Sequence, residues 1–267
     1  YKRQMRACTL GCHTRTRDES VITMSLVFVT GAASGVGLLT ARELIDDGHD
    51  VVIHARNPER LTGEVTEIVD KVRGVVYGDL DNVTGVETVA ASANEYGAFD
   101  AVIHNAGSDN EQKTFAVNVV APYVLSALMT RPKRIVTVSS VMHANGSPEA
   151  LPNAFATGVI DYSNSKLFVT ALMMGLARHW PGVMVHSVHP GWVPTRMGGP
   201  SATDDLDLSY RTQTWLATAP ESDIMPRTGG YWFHKQVQNP HSATLDPAFQ
   251  DEVLHGLKEY TGVELPL

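Results

Sequence analysis

The chain has 267 residues, of which 43% are hydrophobic and 19% are charged, and its formal net charge is −8. This composition is typical of a globular protein, and the acidic balance argues against nucleic acid or an anionic membrane surface as the main partner. No apolar run approaches the roughly 20 residues that a membrane-spanning helix needs, so we expect no membrane span.

Residues 1–23 form a basic segment that precedes the first strand pattern. They lack the apolar stretch of a secretory signal, and we predict a flexible extension here, followed by one domain over residues 24–267. The two cysteines, Cys8 and Cys12, both lie in this segment. The domain therefore has no disulfide framework, which favours a cytoplasmic location. A metal half-site in CTLGCH is the alternative to a flexible tail, but no second pair of ligands follows it.

The rest of the sequence alternates between short apolar runs and stretches with helical spacing. The runs that we predict as strands cover residues 25–30, 50–55, 74–79, 99–107, 134–140, 183–191 and 229–234. The predicted helices cover residues 36–48, 83–96, 114–129, 162–180 and 246–260. Apolar strands separated by helices are typical of a parallel sheet that is buried on both faces. We therefore predict an α/β fold with a single doubly wound Rossmann-type domain, about seven parallel strands and helices on both faces.

The segment TGAASGVG, residues 30–37, stands between the first strand and the first helix. Glycines in such a turn let the backbone approach a pyrophosphate, which the N-terminus of the following helix attracts. A purely structural turn is the alternative, but the position at the start of a βαβ unit favours a dinucleotide. The predicted contacts from this turn are Gly31, Ser34, Gly35, Val36 and Gly37.

The end of the second strand, VVIHARNPER, indicates which dinucleotide binds. NAD sites usually place an acidic residue here to bind the ribose 2′-hydroxyl, whereas this stretch has none before Glu59. Arg56 can hold a 2′-phosphate in a charge-assisted pair, so we predict NADP(H) rather than NAD(H). The alternative is an arginine that only covers a solvated strand end. Asn57 and Pro58 are predicted to begin a helical turn directly after it.

A set of motifs in a fixed order resembles the short-chain dehydrogenase/reductase family over residues 25 to about 235. The run from SSVMH to HPGWVPTRM is similar to the retinol-dehydrogenase-like and bacterial ketoreductase-like branches of that family. The motifs are TGxxxGxG at 30–37, Asp79-Leu80, Asn105–Gly107, Asn118, Ser139-Ser140, Tyr162-x-x-x-Lys166 and PGWVPT at 190–195.

Tyr162 and Lys166 are four residues apart and so share one face of the predicted helix. A tyrosine has a pKa near 10, and a neighbouring ammonium group together with the positive nicotinamide would lower it. The resemblance implies that Tyr162 is the general acid/base, that Ser140 polarises a carbonyl oxygen and that Asn118 holds a water that relays protons through Lys166. For Asn118 the alternative is a simple surface asparagine. The implied activity is an NADP(H)-dependent oxidoreductase that interconverts a carbonyl and an alcohol by hydride transfer.

The resemblance also implies where the rest of the cofactor lies. Lys166 would bond the nicotinamide ribose, and Tyr162 would lie beside it. The other implied contacts are Asp79 at the adenine, Asn105, Ala106 and Gly107 at the adenine ribose, and Val193 and Thr195 at the carboxamide. Leu80, Pro190 and Gly191 are implied cofactor contacts as well.

The substrate side and the partners are less constrained by the sequence. The long segment between Ser140 and Tyr162 is expected to form part of the substrate wall, with His143 either touching substrate or making structural bonds. We predict a small carbonyl or alcohol substrate, and a partly apolar pocket that would suit a lipophilic one. The residues that suggest this pocket are Leu151, Phe155, Trp192 and Met197. The alternative is that they pack down a lid, which the resemblance places at residues 196–225, a stretch that includes Trp215.

Two further questions remain open at this stage. The outer side of the helix at 162–180 is apolar, and a homodimer through it is one possibility. The alternative function to the oxidoreductase is a catalytically silent NADP(H)-binding regulator of the same fold. An epimerase or dehydratase is the third candidate function. We predict no metal site, because the histidines are scattered without supporting carboxylates or thiols.

Overall fold

The computed structural model describes residues 24–267, so the predicted extension and its cysteine pair lie outside the described residues. The strands are β1 (Leu26–Val29), β2 (Asp50–Ala55), β3 (Gly74–Tyr77), β4 (Ala101–His104), β5 (Arg134–Val138), β6 (Met184–Val188), β7 (Gly230–Phe233) and β8 (Gln236–Gln238). The helices are α1 (Gly35–Asp46), α2 (Val83–Asn94), α3 (Glu111–Phe115), α4 (Ala121–Leu128), α5 (Leu151–Thr157), α6 (Tyr162–His179), α7 (Arg211–Thr218) and α8 (Pro247–Thr261).

The strands form one sheet in the order β3-β2-β1-β4-β5-β6-β7-β8. Strands β1 to β7 are parallel, and β8 pairs antiparallel with β7. The chain order reverses between β1 and β4, and a crevice at such a point is where ligands bind in doubly wound sheets. The predicted fold class is confirmed; the sheet has one more strand than the seven expected, because the polar segment QVQ gives no apolar signal.

Apolar side chains cover both faces of the sheet. One core cluster joins α2, α4, α6 and α8 to the sheet, with Phe28, Tyr123 and Phe168 fully buried in it. The second cluster joins α1 and α7 to the opposite face around Leu44 and Ile53. Burial on both faces explains why the central strands are continuously apolar.

Three segments differ from the predicted helices, and one is the short helix α5, which lies between Ser140 and Tyr162 where none was predicted. The helix expected over residues 114–129 begins earlier, with α3, and passes through a π-helical stretch, Ala116–Val120, before α4. Helix α7 was not predicted and lies in the segment expected to form a lid. Its buried side is partly polar, so the sequence shows no clear apolar helical spacing there. Gln213 Nε2 on that side donates to Thr40 Oγ1 of α1 at 3.1 Å. Asn57 does precede a short turn, Pro58–Arg60, but its side chain makes no capping hydrogen bond.

The apolar outer side of α6 is covered by the chain itself. Leu167, Phe168, Ala171 and Leu172 are all fully buried. Helix α8 supplies the cover, with the rings of Phe168 and Phe249 centred 6.1 Å apart. This face is therefore not available to a second subunit, and a homodimer would need another surface. Among residues 24–267, no helix combines the length and the apolar character required to cross a bilayer.

Candidate active site

The glycine turn after β1 is locked against the end of β4. Gly31 has φ = +65°, and a Cβ there would lie 2.8 Å from the Cα of Ala106. A Cβ on Gly37 would lie 2.2 Å from Nδ2 of Asn105. That amide donates instead to the backbone carbonyl of Thr30 at 2.9 Å. Both glycines are thus required by close backbone approach, and the turn leads directly into the N-terminus of α1, where unpaired backbone N–H groups favour an anion.

His54, near the end of β2, supports this turn and was not singled out by the sequence. Its Nδ1 accepts the backbone N–H of Gly31 at 3.1 Å, and its Nε2 donates to the carbonyl of Gly78 at 2.9 Å. The ring is 4% exposed, and burial lowers its pKa, which keeps it neutral as this pair of bonds requires. One buried imidazole therefore joins the ends of three neighbouring strands under the cofactor turn. A histidine inside an apolar strand was the only signal available.

The predicted 2′-phosphate ligand is paired with the predicted adenine contact. Arg56 Nε lies 3.4 Å from the carboxylate of Asp79, and the side chains of the two residues are 50% and 34% exposed. An ion pair this exposed is weak, so Arg56 remains free to turn toward an anion. Arg60, which the sequence pattern does not single out, also lines the same cleft.

Lys166 is buried at the base of the cleft. Its side chain extends from α6 to the end of β5, where Nζ donates to the carbonyl of Val138 at 2.8 Å. The residue is 3% exposed, and burial lowers its pKa to about 8. Nζ is 5.5 Å from the centre of the Tyr162 ring, so the spacing of the two residues does place them together.

Tyr162 is the first residue of α6, and Asp161 caps that helix by accepting the backbone N–H of Asn164 at 2.9 Å. Burial raises the pKa of Tyr162, and a hydrogen bond with Ser140 opposes this rise. Ser139 faces the other way: its hydroxyl is 2.7 Å from that of Thr170. Of the adjacent serines, Ser140 is therefore the one beside Tyr162.

Asn118 lies in the π-helical stretch, behind the wall of the cleft. Its Oδ1 accepts the backbone N–H of Ser108 at 2.8 Å, and its Nδ2 donates to the carbonyl of Ser108 and to Ser165 Oγ, both at 2.9 Å. It is 2% exposed and so is not a surface asparagine. A Cβ placed on Gly107 would lie 3.6 Å from Oδ1 of Asn118 and 3.7 Å from Nζ of Lys166. Both side chains therefore approach the backbone at Gly107.

The loop after β6 closes the cleft over the glycine turn. The side chain of Thr195 would lie 3.8 Å from a Cβ on Gly35. Arg196 reaches further and donates from Nη2 to Ser34 Oγ at 3.2 Å. Val193 is buried, with 5% of its surface exposed. Thr195 and Arg196 thus lie against the glycine turn.

These parts enclose one open cleft of about 1440 Å³. Every residue predicted to bind cofactor or to act in catalysis lines it, except Asn118. Four large apolar side chains at its edge are exposed by 43–59%: Val141, Met142, Trp192 and Met197. Leu151 and Phe155, which were expected in the pocket, are elsewhere: Leu151 is in the core and Phe155 packs on Phe115, with ring centres 5.6 Å apart.

The histidine and acidic side chains of the described residues are not gathered into a cluster of metal ligands. Residues 24–267 contain no group of three or more His, Cys, Asp or Glu side chains that could hold an ion. His186 illustrates the reason, because it is used structurally: its Nε2 donates to the carbonyl of Arg227 at 3.1 Å.

Known proteins are similar to this chain along most of its length. The sequence model of the short chain dehydrogenases matches residues 25–206. An uncharacterized oxidoreductase of Emericella nidulans is 35% identical over 91% of this chain and 99% of its own length. Short-chain dehydrogenase chyC of Penicillium rubens is 34% identical over 91% of this chain and 100% of its own.

Solved structures share the fold. The NADPH-bound carbonyl reductase from chicken fatty liver superposes with a TM-score of 0.64 over 80% of this chain and 98% of its own, at 22% identity. The order of motifs, the doubly wound sheet and these relatives lead to the same conclusion. The chain is an oxidoreductase of the short-chain dehydrogenase/reductase family.

Proposed function

We propose that the protein interconverts a ketone or aldehyde and an alcohol with NADP(H), using Tyr162 as the general acid/base. The observation that carries this proposal is the convergence of Tyr162, Lys166 and Ser140 on the floor of the cleft that the glycine turn opens into. A cofactor held by that turn would have its reactive end at these side chains. The bound nicotinamide supplies the hydride, and the chain itself supplies the proton.

Proton handling follows from the burial of the two ionisable groups. Below pH of about 8 Lys166 carries a charge, and this charge favours the tyrosinate form of the neighbouring Tyr162. Burial alone raises the pKa of Tyr162, so the phenol is protonated near neutral pH and can donate to a carbonyl oxygen. Ser140 would hold that oxygen in place by a second hydrogen bond.

NADP(H) is favoured over NAD(H) by the charges at the end of β2. Arg56 and Arg60 both line this part of the cleft and can pair with a 2′-phosphate. The carboxylate of Asp79 lies against Arg56, so phosphate binding would exchange one weak ion pair for a stronger bidentate one. The neighbour from chicken liver has NADPH bound, which agrees with this choice of cofactor.

A lipophilic substrate is favoured by the exposed apolar edge of the cleft. Val141, Met142, Trp192 and Met197 leave much of their surface in water, and an apolar ligand would cover it. Each of them lines the same cleft as Tyr162. The proposed substrate class is therefore an apolar ketone or aldehyde whose carbonyl reaches Ser140. A cytoplasmic location remains an expectation from the sequence.

A catalytically silent NADP(H)-binding regulator is the competing proposal. To separate the two, purified protein is mixed with NADPH or NADH, and loss of nicotinamide absorbance is followed across a panel of aldehydes and ketones. We expect turnover with NADPH that disappears in Tyr162→Phe and Ser140→Ala but persists in Ser139→Ala, the matched control. NADPH binding without turnover on any substrate would favour the regulator.

Cofactor preference has its own test in Arg56→Ala. Loss of one charge-assisted phosphate contact is expected to raise KM for NADPH about tenfold or more, with little change for NADH. Arg73→Ala is the matched control, because Arg73 makes a surface ion pair with Asp50 at 2.9 Å. Equal effects on both cofactors would refute the assignment of Arg56 to the 2′-phosphate.

A further inference from the structure

His143 makes two hydrogen bonds that fix both its position and its proton. It lies in the 3₁₀ turn Val141–Asn145, directly after Ser140, and is 2% exposed. Nδ1 is 2.8 Å from the backbone carbonyl oxygen of Ser140, and Nε2 is 3.0 Å from the backbone nitrogen of His241. A carbonyl can only accept and an amide N–H can only donate, so the ring is neutral with its proton on Nδ1.

These bonds join the proposed catalytic serine to a distant part of the chain. The Ser140 carbonyl accepts a second donor, the backbone N–H of His143 at 3.1 Å, and Ser140 Oγ accepts the N–H of Met142 at 3.2 Å. Ser140 is therefore held at both its backbone and its side chain. On the other side, His241 immediately precedes the turn Ser242–Leu245 that leads into α8.

The ring is also packed in place. Its centre is 4.5 Å from that of Tyr231 on β7. It is not among the residues that line the cleft. Of the two expectations for His143, structural bonds and substrate contact, the geometry favours the first.

We propose that His143 is a positioning residue for Ser140, which aims the serine hydroxyl at Tyr162 by donating from Nδ1 to the Ser140 carbonyl. This inference rests on the proposed reductase function. Its consequence is that the donor on Nδ1 matters for turnover, whereas the acceptor on Nε2 matters only for the attachment of residues near His241.

Two variants separate these two atoms. In His143→Asn the amide Nδ2 takes the place of Nδ1 and keeps the donor to Ser140, but the bond to His241 is lost. In His143→Gln the amide oxygen takes the place of Nε2 and keeps the acceptor for His241, but the bond to Ser140 is lost. Both variants shorten or reshape a buried ring, so both are expected to lower Tm.

We expect His143→Asn to keep kcat within about threefold of wild type and His143→Gln to lose about tenfold or more. The dissociation constant of NADPH, from fluorescence titration, is expected to stay unchanged in both. Hydrogen exchange should speed up at the His241 amide in His143→Asn only, which checks that each variant breaks the intended bond.

The outcomes distinguish failure of this inference from failure of the proposed function. An active wild type with equal kcat losses in the two variants, or with no loss in His143→Gln, would overturn the positioning role, because a merely structural effect would follow Tm instead. A wild type that binds NADPH but reduces nothing would refute the reductase itself, and the positioning role with it.

Discussion

Replacing Lys166 with methionine is expected to abolish turnover and yet stabilise the protein near neutral pH. Burial lowers the pKa of this lysine from 10.5 to about 8. That fall corresponds to about 3 kcal/mol by which burying the charge destabilises the fold. Methionine cannot make the hydrogen bond from Nζ to the Val138 carbonyl. The loss of this bond offsets about 1–2 kcal/mol of the stabilisation gained by removing the buried charge. The expected net gain of about 1–2 kcal/mol raises Tm by about 2–8 °C.

The pH dependence of this gain tests its cause. In the folded wild type Lys166 releases its proton near pH 8, and in the unfolded chain only near 10.5. Between these values the unfolded state binds more protons, so wild-type stability rises with pH and the advantage of the variant shrinks. The full advantage is present below the folded pKa.

Urea unfolding of wild type and Lys166→Met at several pH values between about 7 and 10 measures this difference. Lys113→Met is the control, because Lys113 is a partly exposed lysine paired with Asp81 at 2.6 Å and its replacement relieves no burial of a charge, so no stabilisation is expected. A variant that is less stable than wild type at neutral pH, or a gain that does not change with pH, would refute the reasoning.

The other predictions concern the support of the cofactor turn. Gly37→Ala places a methyl group 2.2 Å from Nδ2 of Asn105 and should weaken NADPH binding about tenfold or more in a fluorescence titration. Gly182→Ala, which meets nothing within 4 Å, should leave binding unchanged. His54→Leu leaves the N–H of Gly31 unpaired and should lower the free energy of unfolding, measured with urea, by about 2–4 kcal/mol. A decrease below about 1 kcal/mol would contradict the role given to His54. Because burial lowers the His54 pKa, its contribution to wild-type stability is complete above about pH 6.5 and is lost as the pH falls toward the folded value; His54→Leu should flatten that slope.

Many residues of the cleft could be predicted because they belong to motifs whose members are close together in the sequence. Gly31 and Gly37 belong to one turn, and Tyr162 and Lys166 are one helical turn apart, so neighbouring residues bring them together whatever the rest of the chain does. The parallel sheet was equally visible, because strands buried on both faces must be apolar along their whole length.

The contacts between residues far apart in sequence were decided only by the tertiary structure. Gln213 of α7 donates to Thr40 of α1 across 173 positions, so a polar side chain of this helix faces the core. His143 meets His241 across 98 positions, and α8 covers the face of α6 that looked free. No local pattern encodes these contacts, because the hydrogen-bond partner that favours burial of a polar side chain comes from a distant part of the sequence. The sequence by itself therefore determined the fold class and the candidate residues, and the folded chain determined what holds them in place.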